Sequence, residues 1–348
     1  MTKIYNKLPQ NIDPKYVHLF KNKQTYTSSP LKTKTLKNVF VSHWGLLIKN
    51  YLMPLKSAEN LFGFYDQSFY FQHYKKAIEQ YLVSKYGKSL PSIILDDSKE
   101  YFTIHTPWFG YFSWFTTNLP RLIKVHNKNP QAILLITEEI NRFPFVKESL
   151  KLFPNLERLE VKDGHHMFVK NFVFAQVRPW TSQFEYDDLQ LVRNQCFNFI
   201  DSQKQSNISM QLVYVSRRKA KRRNITNETE VEEYLQTKGF TSICFEDYSV
   251  FEQIAIMRQA KVFISLHGAG LTNTIFMSPN TTVLELSPIP DKDNQFRFPF
   301  WRICDLLQVS YSIQFCQTIN KGEVDIYTRD VTVDMELFKL NCNQILYS

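Results

Sequence analysis

Residues 261–273 read Lys-Val-Phe-Ile-Ser-Leu-His-Gly-Ala-Gly-Leu-Thr-Asn. The unbroken apolar run KVFIS, 261–265, has the length and β-branching of a strand covered on both faces. It ends in small residues, Gly268-Ala269-Gly270, which let the backbone approach a neighbour or ligand closely and open a helix. A strand running into such a turn and then a helix is half of a βαβ unit. The same alternation continues outward in both directions. Downstream, TVLELS (282–287), VSYSIQF (309–315) and VDIYTR (324–329) are predicted strands, with helices over 291–307 and 333–346. Upstream, the strands LVYVS (212–216) and TSICFE (241–246) alternate with helices over 228–238, closed by Gly239, and 249–259. Short apolar strands alternating with helices of this length predict a parallel sheet.

A second block precedes the polar run QKQSNIS, 203–209. Its predicted strands are SIILDD (92–97), AILLIT (132–137), LERLEV (156–161) and MFVKNFVFA (167–175). Its helices cover 112–128, despite Pro120, and 141–152 and 185–204. Before residue 91 the pattern is weaker, with one or two strands in 38–48 and a helix over 67–86. The class is therefore α/β. The expected architecture is two Rossmann-like domains, 1–205 and 206–330, facing a central cleft. A C-terminal helix in 331–348 follows, and its return to the N-terminal domain is one open arrangement.

The chain has 348 residues, 43% hydrophobic and 22% charged, which excludes a disordered, collagen-like or coiled-coil protein. Lys and Arg number 42 against 33 acidic residues, a net charge of +9. No window approaches 18 consecutive apolar residues, and residues 1–20 lack the apolar core of a signal peptide. The 5 cysteines are scattered and never form a Cys-x-x-Cys pair. Free thiols in a reducing, cytoplasmic compartment are expected.

Four segments carry candidate chemistry. His267 closes a strand where a helix N-terminus presents free N–H groups, a place that suits a phosphate. The spacing is neither G-x-G-x-x-G nor a Walker loop. The bland alternative is a tight turn with a capping histidine. Second, six of the seven residues from 217 to 223 are cationic and begin where a strand ends. They suit a diphosphate clamp, a solvated loop or a nucleic-acid patch. Third, Glu285 stands inside an apolar strand, where a carboxylate needs a partner: a ribose hydroxyl or a nearby arginine. Fourth, Gly110–Leu122 reads mostly as core. His165-His166 reads as a polar turn without a third metal ligand, and no nucleophile–base pair is present.

Leu212–Pro288 resembles glycosyltransferase family 61. The pattern consists of Ser216-Arg217, Arg222-Arg223, Asn227-Glu228, Glu246, Gln253, His267–Asn273 and Phe276-Met277-x-Pro279, closed by the strand 283–288. Trp114 with Leu119-Pro120-Arg121-Leu122 is similar to the family's N-terminal element. The resemblance implies a GT-B fold and an inverting transfer that needs no metal and no cofactor. The nucleotide-sugar donor, of UDP type, would lie on the C-terminal domain. Its implied ligands are Ser216, Arg217, Arg222, His267, Gly268, Ala269, Gly270, Leu271, Thr272, Asn273 and Glu285. A glycan or lipid-linked glycan acceptor would lie on the N-terminal domain.

One departure stands out. Ser113 and Thr117 occupy positions where the family element has a histidine and an acid. An inverting transfer needs a base near the attacking hydroxyl, and Asp97 and His105 are the candidates, with His267 on the donor side. The implied setting is surface-polysaccharide (capsule) synthesis in the cytoplasm, with peripheral contact to an anionic membrane and no nucleic-acid partner. The alternative is a catalytically inactive binder of nucleotide or glycan.

Overall fold

The computed structural model describes residues 2–43, 45, 47–49, 53–54, 75, 78–79, 81–83, 92–93, 95–104, 109–176, 183–203, 209–319 and 325–347. The chain forms two compact units. The C-terminal unit holds Met1–Ser28, Phe184–Tyr186 and Cys196–Ser348, and the N-terminal unit holds Ser29–Gln183 and Asp187–Gln195.

In the C-terminal unit a six-stranded sheet runs Thr241–Ile243, Leu212–Val215, Val262–Leu266, Thr282–Pro288, Ser310–Thr318, Val331–Thr332. The first five strands are parallel and the last is antiparallel. In chain order this is 2-1-3-4-5-6, a doubly wound arrangement whose direction of winding reverses between Leu212–Val215 and Val262–Leu266. The carboxyl ends of strands at such a reversal are where open α/β sheets bind ligands. All five residues of Val262–Leu266 are buried, because helices cover both faces. Tyr214, Ile264, Leu266, Leu284 and Leu286 pack on one face against Val231 and Leu235 of helix Glu228–Thr237. Phe338, Cys342 and Ile345 of helix Met335–Tyr347 join the same cluster. The terminal helix thus completes the C-terminal unit instead of returning to the N-terminal one, because its apolar stripe is spent there.

Local signals account for several boundaries. Gly239, at φ 82°, closes helix Glu228–Thr237, and Ser249 with Glu252 forms a capping box before Val250–Gln259. The predicted strand 324–329 is instead a 3-10 turn, Ile326–Thr328. Asp325 accepts the Tyr327 amide at 3.1 Å, and an aspartate that caps in this way favours a turn over an extended run. Residues 1–28 also differ from the expected 1–205 grouping. Asn11 accepts from the Ile313 amide at 2.8 Å and donates to its carbonyl at 3.0 Å. The Trp301 indole donates to the Lys7 carbonyl at 2.6 Å. All 5 cysteines are buried free thiols.

The N-terminal unit is built on a mixed sheet rather than a purely parallel one. Its long central strand His166–Ala175 pairs antiparallel with Thr33–Val41, and parallel with Ser92–Ile93 and Tyr101–Phe102. Parallel pairing then continues through Ile133–Thr137 and Arg158–Val161. Val39, Val41, Ile133, Leu135, Met167 and Phe172 form its core. The expected strand 92–97 is described as a strand only at Ser92–Ile93, and Asp97 lies in the turn that follows. The predicted helix 112–128 is present but widened. Tyr111–Ser113 leads into a π turn over Trp114–Asn118 and then the helix Leu119–Lys128. Pro120 explains the widening: it has no N–H for the carbonyl one turn back, and its ring needs room there. Arg121 follows at once. Its guanidinium is buried and donates to the carbonyls of Ile104 and Ala175, and burial pushes its pKa down to about 9.

Candidate functional site

The site lies at the winding reversal of the C-terminal sheet, where two loops leave adjacent strands. The first follows Leu212–Val215. Ser216 is buried, and its Oγ accepts the Arg218 amide at 3.2 Å. Glu228 fixes the start of the loop by accepting from the Arg217 amide and the Tyr214 hydroxyl, each at 2.8 Å. Within the basic run the side chains take different roles. Arg217 turns back and donates to the Arg223 and Arg222 carbonyls, both at 3.0 Å, so it braces the loop. Arg218 pairs with Glu232 and Lys219 with Asp247. Arg222 is exposed.

Arg223 behaves differently from all of these. Its backbone is left-handed at φ 60°, which costs a residue with a Cβ about 1–3 kcal/mol and is a feature of functional sites. Nη1 donates to the Tyr327 carbonyl at 3.1 Å, while the buried Nε has no partner among the described residues. Burial lowers its pKa to about 10, and Arg217, Arg222 and Arg297 add repulsion. Its guanidinium lies on Gly268: a Cβ built there would stand 2.6 Å from Nη2.

The second loop follows Val262–Leu266. Gly268 is extended and caps the 3-10 helix Ala269–Phe276. His267 is buried, and its Nδ1 lies 2.5 Å from Glu285 Oε1. The Tyr311 hydroxyl donates to the other carboxylate oxygen at 2.8 Å. A carboxylate can only accept, so Nδ1 carries the proton and Nε2 is left without a partner among the described residues. The Tyr327 ring lies 4.2 Å from the imidazole and the Phe300 ring 5.2 Å. Burial holds the imidazole below its usual range, Glu285 opposes this, and Arg223 and Arg297 reinforce it. Arg297 itself rests on the Tyr327 ring and pairs with Asp325 at 2.9 Å.

The expected site residues are sorted by this geometry. His267, Gly268 and the exposed Ala269 come together with Arg223. Gly270 is half-buried with Phe245 3.4 Å from where its Cβ would be. Leu271, Thr272 and Asn273 are fully buried, and Asn273 donates to Gln253 at 3.1 Å, so they build the turn rather than face a ligand. Glu285 is only 1% exposed with both oxygens in use, so it cannot reach a ribose without giving up His267 or Tyr311. Arg217 is a brace and not a free cation. Arg223 belongs to the basic run but is not singled out within it by the sequence, and Arg297, Tyr311 and Tyr327 carry no sequence signal of their own. The signal for Tyr311 was Glu285 itself, a strand carboxylate that required hydrogen-bond donors.

In the N-terminal unit, Asp97 is 71% exposed at the side chain and paired with Lys170 at 3.1 Å. It lines a cavity of about 310 Å³ with Phe40, Tyr81 and Phe168. His105 lies outside the described residues. Ser113 is buried and Thr117 half-buried in the π turn. Among the described residues His43, Glu139 and Asp163 converge within reach of one cation. However, His43 Nδ1 accepts the Gly164 amide at 3.3 Å, which turns Nε2–H toward Glu139 and leaves no lone pair for a metal. No described helix is long and apolar enough to cross a membrane.

The doubly wound sheet of this α/β protein brings together, at its reversal, a half-buried arginine whose Nε has no partner among the described residues and a buried histidine. The model of the family described as Glycosyltransferase 61 matches residues 111–284, half of the chain, and the chain belongs to that family. It is a glycosyltransferase. No curated protein matches the chain. The matched span contains both the Trp114–Leu122 element and the two loops of the site. Several residues of the matched span are scaffold: Glu228 and Gln253 anchor loops, and Asn227 exchanges two hydrogen bonds with the Val333 backbone.

Proposed function

We propose that the C-terminal unit binds the nucleoside diphosphate of a UDP-type sugar donor and that the enzyme is inverting and metal-independent, of GT-B type. The observation that carries this reading is Arg223. Its Nε is orphaned among the described residues and three arginines repel it, with Asp325 opposing them, and a diphosphate would balance this excess of positive charge. Arg223, Arg222 and His267 Nε2 would meet the charge that develops on the departing diphosphate, with the amides after Gly268 beside them. Ser216 and Arg217 hold the loop, and Leu271–Asn273 hold the turn. The acceptor, a glycan or lipid-linked glycan hydroxyl in surface-polysaccharide synthesis, is assigned to the N-terminal unit. The net charge of +9 suits loose contact with an anionic membrane from the cytoplasm.

A thermal-shift screen over nucleotide-sugars, followed by assay of nucleotide release, tests the reading. A ligand at 100 times its Kd adds about 2.7 kcal/mol of stability. A shift with UDP but with no purine or pyrimidine monophosphate supports the diphosphate assignment, and no shift with any nucleotide defeats it. Ser113 and Thr117 favour a second reading, an inactive binder, which UDP binding without release from any donor would establish.

Two further results are expected. EDTA should leave the rate within about twofold, since protein cations meet the leaving-group charge; complete, magnesium-reversible inhibition would refute this. Gly268→Ala should weaken UDP binding about tenfold, because its Cβ displaces the Arg223 guanidinium. In calorimetry its effect and that of Arg223→Ala should not add.

A further inference from the structure

We propose that Glu285 and Tyr311 are positioning residues that place a proton on His267 when a nucleoside diphosphate binds, so that nucleotide binding draws one proton from solvent. This rests on the donor-site reading above. The chain is linear and buried: Tyr311 hydroxyl to Glu285 Oε2 at 2.8 Å, Glu285 Oε1 to His267 Nδ1 at 2.5 Å, and Nε2 beyond. It follows from strand pairing. Ser265 pairs with Glu285 and Glu285 with Ile313, which puts the end of one strand, the middle of the next and Tyr311, two residues before Ile313, side by side.

Every charged group that faces the imidazole acts on this equilibrium. Arg223 from the basic loop and Arg297 from the segment before helix Pro299–Leu306 disfavour the imidazolium, as does burial. Glu285 favours it. The rings of Tyr327 and Phe300 also pack against the imidazole. Without an anion the two arginines and burial leave the imidazole neutral, and a neutral Nε2 offers a lone pair to any ligand. A phosphate oxygen also offers lone pairs, so the two repel until a proton lies between them. A diphosphate at Arg223 reverses both terms: it neutralises the arginines' field and accepts from Nε2–H. The proton comes from water and stays on Nε2, and Glu285 holds Nδ1–H as before.

The test is calorimetry of UDP binding to the full chain, between pH 7 and 9, in buffers of different ionisation enthalpy. Above pH 7 a terminal phosphate, with a second pKa of about 6, contributes little protonation of its own. Wild type should take up between half a proton and one proton at pH 7.5. Its Kd should weaken by up to about tenfold per pH unit while pH rises between the values at which free and UDP-bound His267 titrate, and should level off above the latter. The variants should move this profile in opposite directions. Glu285→Gln keeps the shape but removes the charge, so uptake disappears and affinity at pH 7.5 falls about tenfold. Tyr311→Phe removes a donor from Glu285, makes the carboxylate a stronger acceptor, and carries the profile to higher pH. A purely structural role would weaken binding equally at every pH without moving the profile. Binding of UDP by wild type with no buffer-dependent heat overturns this inference alone. No heat of UDP binding at any pH overturns the donor-site reading and this inference with it. The wild-type measurement decides the matter even if a variant does not fold.

Discussion

Arg223→Ala should weaken UDP binding by about 1.5–3 kcal/mol, roughly 10–150-fold in Kd, the contribution of hydrogen bonds to a charged group. Calorimetry should find the loss larger than that from Arg222→Ala, whose side chain is exposed. Lys219→Ala should change little, because Lys219 is already paired with Asp247. Arg217→Ala should also lose affinity, but for another reason. Its guanidinium holds the Arg222 and Arg223 carbonyls, so its removal frees the loop that aims Arg223. The two are separable by stability. Arg223→Ala removes a desolvated cation repelled by its neighbours, so the apo protein should melt no earlier. Arg217→Ala takes away loop bonds and should melt earlier. Equal losses of UDP affinity from Lys219, Arg222 and Arg223 would mean a diffuse basic patch and not a defined anion site.

The second large effect is structural. Arg121→Met should destabilise the N-terminal unit by about 2–4 kcal/mol, seen as a lower urea midpoint. Methionine fills a similar volume, but the carbonyls of Ile104 and Ala175 lose their donors in a buried site. Nucleotide binding should be unchanged, because Arg121 belongs to the N-terminal unit and the anion site to the other. A variant with wild-type stability would mean that water reaches those carbonyls. Trp114→Phe is a milder companion, since it removes one indole bond to the Ser149 hydroxyl at 3.1 Å.

What could be read in the sequence was what is local. The turn after Val262–Leu266 announces itself within ten residues, and the helix caps at Gly239 and Ser249 are each set by one or two side chains. The πturn at 114–118 was half-visible, since Pro120 marked the trouble but not its solution. The roles within the basic run were not readable. Six cations in seven positions look alike in sequence, and only the left-handed kink at Arg223 and the carbonyls around Arg217 tell them apart. Glu285 reads in the sequence as a carboxylate in need of a ribose hydroxyl or an arginine, but the partners it has, His267 and Tyr311, depend on strand order. His267 arrives from the preceding strand and Tyr311 from the following one, a pairing that no local pattern encodes. The mixed character of the N-terminal sheet was hidden for the same reason, because an antiparallel partner for His166–Ala175 comes from residues 33–41, over a hundred positions away.

The docking of residues 1–28 on the C-terminal unit also bears on how the chain reaches its native state. Asn11 meets Ile313 across 302 positions and Trp301 meets Lys7 across 294. During synthesis that segment leaves the ribosome long before its partners exist, while the whole N-terminal unit can assemble behind it. Contacts of such sequence separation form slowly, after the loop between them has been closed. The segment must therefore wait, with Leu19, Phe20 and Tyr26 uncovered, until the C-terminal sheet has emerged. Its docking is therefore expected late in folding, and the apolar segment left uncovered until then is open to aggregation and to chaperones.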